Sequence, residues 1–143
     1  MPSPFRHRHR VGYSECTIGN HVYYARYLDM LESARGEFFR SLGTTFAGWQ
    51  ERDVIFPVVE AHVKYRAAAR YDDELEVKVW ATEIARVRIG FGYRIAKAGG
   101  ALLVEATTVH VCTGVAGRPC RVPEELAARL RSFLHAESRV GAS

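Results

Sequence analysis

The segment from Tyr24 to Leu42 constrains this chain more than any other. Tyr24, Tyr27, Leu28, Leu31, Ala34, Arg35, Phe38, Phe39 and Leu42 recur at three- and four-residue spacings, separated by Arg26, Asp29, Glu32, Glu37 and Arg40. That spacing predicts a long helix with a broad apolar face. Asn20 is its expected N-cap and Gly43 its expected stop. A face of this width has to be covered by another layer of structure.

The rest of the chain supplies that layer. From Val54 to Arg66 the pattern turns to period two, with Val59, Ala61, Val63 and Tyr65 alternating with Glu60, His62, Lys64 and Arg66. This predicts a strand with one buried face. Further strands are expected at Leu75 to Ile84, Arg86 to Lys97 and Ala101 to Thr113. Their links are short, such as Ala98-Gly99-Gly100, so an antiparallel meander is expected. Pro123 to Leu134 predicts a short closing helix, and the stretch around Trp49 reads as a connection. The run Arg6-His7-Arg8-His9-Arg10 leads straight into Val11 and Tyr13 and reads as a frayed strand or tail, not as a nucleic-acid arm. In 143 residues, 48% of them hydrophobic, one core is feasible and two would each be marginal. The expected architecture is α+β: a single domain over residues 1–143, its antiparallel sheet wrapped around one long central helix.

Composition excludes several classes. Cys16, Cys112 and Cys120 are odd in number and form no Cys-x-x-Cys pair, which points to a reducing cytoplasm and away from disulfides or zinc. No apolar run approaches the roughly 20 residues that span a bilayer, and no secretory signal core is present, so a cytoplasmic protein without membrane insertion is expected. The net charge of +4 is spread along the chain and demands no polyanionic partner. There is no Gly-x-Ser-x-Gly elbow, no phosphate-cradling loop, no dinucleotide fingerprint and no His-Glu-x-x-His pair, so neither a cofactor nor a metal is expected.

What remains is the entrance to the long helix. A helix N-terminus offers unpaired N–H groups and partial positive charge, which stabilise the oxygen of a carbonyl under attack. Glu15, Thr17, Asn20 and His21 flank this entrance. Ordinary capping explains an Asn or Thr there equally well.

Tyr13-Ser14-Glu15-Cys16-Thr17, His21-Val22-Tyr23-Tyr24-Ala25-Arg26-Tyr27-Leu28 and Glu32-Ser33-Ala34-Arg35 resemble the entry loop and central helix of the 4-hydroxybenzoyl-CoA-thioesterase-like hot-dog proteins. Pro57 to Ala61, Tyr65-Arg66-Ala67, Ala69 to Leu75, Gly117-Arg118-Pro119 and Pro123 to Leu126 are also similar to that family. The resemblance implies a hot-dog fold, an acyl-CoA or other acyl thioester as substrate with coenzyme A as part of it, and a homodimer or homotetramer with sites between subunits. It further implies that the backbone N–H of Tyr24 polarises the thioester carbonyl.

The chain departs from that family where the family carries its catalytic aspartate, because Thr17 stands there, and Gly19 falls one place before the usual glycine, leaving Asn20 at that position. Threonine is not appreciably ionised at neutral pH and needs a neighbouring base. Glu32 is one replacement, since a second branch of hot-dog thioesterases uses a helix glutamate; it also reads as a solvated residue pairing with its neighbours. The other repair holds water with neutral groups, and here Tyr27 and Arg35 match a tyrosine and an arginine of the enediyne-pathway thioesterases. Asn20 and His21 are further candidates for positioning water, His21 being equally explicable by packing. His62 and His110 read as structural. Arg66 and Arg70, ahead of Lys64, Arg88 and Arg118, are the expected contacts for CoA phosphates. The missing aspartate leaves a second class open: a protein that binds an acyl thioester or acyl-carrier protein without hydrolysing it.

Overall fold

The computed structural model describes residues 3–135; residues 1–2 and 136–143 of the expected 1–143 domain lie outside the described residues. Helix α1 spans Arg26–Ser41 and buries Tyr27, Met30, Leu31, Ala34, Arg35, Phe38 and Phe39. Met30 joins the buried stripe, whereas Leu28 and Tyr24 stand 43% and 61% exposed. The helix ends as expected. Gly43 adopts φ 81, its N–H bonds Arg40 O, and the Thr44 N–H reaches back to Phe39 O, a Schellman closure that favours a residue without Cβ. Arg129 adds a 2.6 Å bond to the Leu42 carbonyl.

The expected N-cap is corrected. The cap position is Ala25, with no side-chain bond, and Asn20 lies five residues upstream at φ 62, behind Gly19 at φ 86. Both belong to the loop joining strands β2 (Cys16–Thr17) and β3 (His21–Val22). Asparagine tolerates the left-handed region as readily as it caps a helix, so residue type alone does not distinguish the two uses.

Five strands form the main sheet: β1 (Phe5–Arg10), β4 (Val58–Tyr65), β5 (Glu74–Ile84), β6 (Arg88–Lys97) and β7 (Leu102–Val111). Their order is β1-β5-β6-β7-β4, antiparallel throughout. Register shifts at Ala81/Glu83 and Ile95/Ala96 mark bulges, which bend strands and raise their twist. The core lies between sheet and helix: Phe38 stacks on Phe5 at 5.4 Å and meets Phe91 edge-on at 6.2 Å.

The basic N-terminal run is not frayed; it pairs along its whole length with β5, from Phe5↔Val79 to Arg10↔Glu74. Phe5, His7 and His9 turn inward while Arg6, Arg8 and Arg10 meet Glu76 and Glu74 in ion pairs. The Trp49 connection contains a short helix, α2 (Phe46–Glu51), capped by Thr45 Oγ1 accepting from Gly48 N at 2.9 Å. Strand β4 has no fully buried residue, and only Val63 packs partly against the core. It is a sheet edge along which Val58 and Val59 stay 48% and 54% exposed. The closing helix α3 covers Glu124–Leu130, followed by a single 3₁₀ turn at Arg131–Phe133. Among the described residues no helix is long and apolar enough to cross a membrane.

Candidate active site at the entrance to the central helix

The entry loop is tied down from both sides. Thr17 pairs with His21 across the β2–β3 hairpin, Val22 N–H bonds Ala69 O at 3.0 Å, and Tyr23 N–H bonds Glu15 O at 2.9 Å. Glu15 is itself occupied, taking the Gly12 N–H at 2.8 Å and His9 Nε2 at 2.8 Å. Arg70 holds the loop from outside, donating to Gly19 O at 3.2 Å, while its own N–H goes to Asp73.

The chain then turns into α1 with tight bonds from Arg26 N to Tyr23 O, Tyr27 N to Tyr24 O and Leu28 N to Ala25 O. These use the first N–H groups of the helix itself. The Tyr24 N–H, two residues before Arg26, has no protein acceptor among the described residues, and neither has the Ala25 N–H between them. The Tyr24 N–H shares its peptide plane with the Tyr23 carbonyl, which accepts the Arg26 N–H at 2.8 Å and so sets the direction of the free N–H, while the Tyr65 hydroxyl holds the next peptide through the Tyr24 carbonyl at 3.1 Å. Beside it lies an open cavity of about 220 Å³, lined by His21, Tyr24, Tyr27, Tyr65 and Arg66 among others. Among the described residues no carboxylate lines it.

A second, larger cavity of about 450 Å³ opens on the other side of α1, between Arg35 and Phe39 of the helix, Phe46 of α2, Phe56, Phe91 and His110. Its wall carries a chain of buried polar groups whose direction can be deduced. His110 Nδ1 lies 2.9 Å from Phe56 O, and a carbonyl only accepts, so Nδ1 carries the proton and Nε2 is bare. Thr108 donates to Nε2 at 2.9 Å, Tyr93 donates to Thr108 at 2.6 Å, and Arg35 Nη1 donates to Tyr93 Oη at 3.1 Å. Burial pushes His110 down to about 4, opposed by its bond to Phe56 and aided by the charge of Arg35. The imidazole is neutral, as the chain requires. Burial also raises Tyr93, so its hydroxyl keeps its proton.

The anticipated site residues therefore separate into two groups. His21, Tyr24, Tyr27 and Arg66 line the smaller cavity, with Thr17 and Asn20 on the exposed hairpin beside His21. Glu32 and Arg35 line the larger one. The Tyr27 hydroxyl takes the Ala69 N–H at 2.9 Å, Arg66 pairs with Glu105 at 2.7 Å, and Arg35 turns to Tyr93 and not to Glu32. Tyr93 and Thr108 are not among the residues singled out from the sequence, and His110 is buried and bonded at both ring nitrogens, in keeping with its structural reading. A signal was present, since Thr108 and His110 share the inward parity of Val104 and Ala106, two polar residues where a strand should be apolar.

A curled antiparallel sheet holding one long helix, with a free amide at the helix entrance and an apolar chamber against its flank, defines a hot-dog protein of thioesterase type. The chain belongs to the Thioesterase-like superfamily, whose family model matches residues 11–130. It is 32% identical over 128 residues to the acyl-CoA thioester hydrolase YbgC of Escherichia coli O6:H1, covering 89% of this chain and 96% of that one. Acyl-CoA thioesterase YbgC of Haemophilus influenzae is 33% identical over 122 residues, 83% of this chain and 88% of that protein. Among solved structures, a hypothetical protein of Thermus thermophilus superposes with a TM-score of 0.84 at 32% identity, covering 90% of this chain and 98% of that chain.

Proposed function

We propose that this protein hydrolyses acyl-CoA thioesters, as its YbgC relatives are named for doing, with the thioester carbonyl polarised by the Tyr24 N–H. The observation that carries this reading is that amide: its peptide plane held by the Arg26 N–H bond to the Tyr23 carbonyl, without an acceptor among the described residues, and at the mouth of a cavity. Water adds to the acyl carbon, the oxyanion collapses, the C–S bond breaks, and the thiolate leaves to take up a proton, giving free acid and coenzyme A. Arg66, exposed beside the cavity, would reach the CoA phosphates by giving up its pairing with Glu105.

We further propose that the working unit is a homo-oligomer, because one chain supplies two half-sites. Strand β4 carries an exposed apolar face and an unpaired edge, features that call for a partner. Val58, at one end of β4, borders the larger chamber, and Tyr65, at the other end, borders the helix entrance. Antiparallel pairing of β4 with a second copy about a two-fold axis sets the Val58 end of one against the Tyr65 end of the other. Each entrance then gains the partner's chamber, and with it a carboxylate, the partner's Glu32, that the entrance cavity lacks.

Incubating the purified protein with short, long and aromatic acyl-CoAs and following free thiol tests the activity; thiol release no faster than in buffer for every substrate would exclude it. Glu32→Gln separates the two sources of water activation. A fall in kcat at unchanged KM assigns the base to Glu32, and near-normal turnover assigns activation to neutral groups about Thr17, Asn20 and His21.

A further inference from the structure

Arg35 raises a question that hydrolysis alone does not answer. The residue is 8% exposed, yet its guanidinium has no carboxylate partner among the described residues and gives one bond, to Tyr93. A buried cation is costly unless it is paired and its donors are used. A guanidinium has five N–H donors. No Arg35 nitrogen is a sealed atom without a partner, so the unused donors open onto the 450 Å³ chamber that Arg35 lines. Of the other lining groups, Phe39, Phe56 and Phe91 are apolar, His110 is neutral and engaged at both ring nitrogens, and the one carboxylate is Glu32. Glu32, one turn back on α1, is exposed and makes no ion pair with Arg35.

A largely apolar chamber with a fixed planar cation on its wall, to which no carboxylate of the described residues is bonded, selects for an apolar ligand that ends in a complementary anion. A carboxylate matches the guanidinium fork in two parallel bonds, and it does so where water is scarce and the pairing is strongest. We propose that the chamber receives the distal end of an acyl chain terminating in a carboxylate, so that the preferred substrates are monothioesters of dicarboxylic acids. This rests on the acyl-CoA reading for the other end of the ligand, and it adds a specificity that the reading lacks. The Tyr93–Thr108–His110 chain fixes the guanidinium from behind through its first bond, leaving the rest of the fork for the ligand.

The test uses two non-hydrolysable thioethers, S-(5-carboxypentyl)-CoA and S-hexyl-CoA, whose CoA parts are identical and whose chains differ in the terminal carboxylate. Isothermal titration at pH 7 is expected to give at least tenfold tighter binding of the carboxylated ligand to the unmodified protein. Arg35→Met, which keeps an unbranched side chain, should abolish or reverse that preference, and Arg35→Lys should retain part of it. Equal affinities, a preference for the hexyl ligand, or no binding of either would overturn the proposal, and the unmodified protein alone decides this if Arg35→Met fails to fold. Neither ligand contains a thioester, so a protein that hydrolyses nothing yet discriminates between them refutes the hydrolase reading and leaves this one standing.

Discussion

In the proposed mechanism Tyr24 is the residue on which the chemistry turns, and it contributes through its backbone. The amide is the second residue of the turn from Tyr23 to Arg26, a place that proline occupies readily. Tyr24→Pro deletes the proposed oxyanion donor, and kcat should fall by about 10²- to 10³-fold, the usual effect of removing one such donor, with little change in melting temperature. A fall no larger than that of Tyr24→Ala would remove the amide from the mechanism. The His110 chain makes a second prediction at this scale. The unfolded imidazole titrates near 6.5 and the folded one at about 4, so between these values the unfolded state binds more protons and folding is penalised. The contribution is complete above about pH 6.5, is lost as pH falls toward 4, and amounts to roughly 3 kcal/mol. Urea denaturation at pH 7 and at pH 4 should show that loss in the unmodified protein and a correspondingly smaller one in His110→Gln, the difference isolating this residue from the half-buried His7, which burial also shifts downward.

Elements were legible where local chemistry acts alone. The period of α1 and its stop at Gly43 could be read because an amphipathic stripe and a left-handed C′ residue are local requirements. Gly43→Ala puts a Cβ on a residue at φ 81 and should cost about 1 kcal/mol, read as a lower urea midpoint at unchanged m. Elements were misread where one signal serves two structures. Asn20 suits a cap and a left-handed turn, and only the chain's path through the β2–β3 hairpin separates them. The alternation of β1 was visible, but its arginines argued for a tail until the acidic row of β5, Glu74 and Glu76, was set beside them. Helix α2, with Gly48 inside its six residues, is too short to show a period. In β7 the polar residues at inward positions were in plain view, but the partners that make them a chain, Tyr93 and Phe56, are distant in sequence.

At the scale of the molecule, period two in β4 announces one apolar face without saying what covers it. The expectation of a buried face failed within one chain because α1 and its stripe serve the other strands, leaving Val58 and Val59 outside. If a second copy covers that edge, the two cavities of each chain belong to different active sites, and this can be tested by complementation. Tyr24→Pro damages the entrance only. Gly36→Phe damages the chamber only: an added Cβ at Gly36 meets nothing closer than Phe46 Cε2 at 3.7 Å, so the ring has room to enter and fill the space that the acyl chain needs. Each variant alone has two defective sites per dimer and should be nearly inactive. A mixed dimer, co-expressed with two different tags and isolated by sequential affinity steps, contains one site with both defects and one with neither, and should recover about half of the normal activity. If entrance and chamber of the same chain formed the site, every site in the mixed dimer would carry one defect and no activity would return. Recovery also requires that the dimer form through β4, so Val59→Lys on both chains, which sets like charges along the paired edge, should abolish it while leaving each chain's far-UV circular dichroism unchanged.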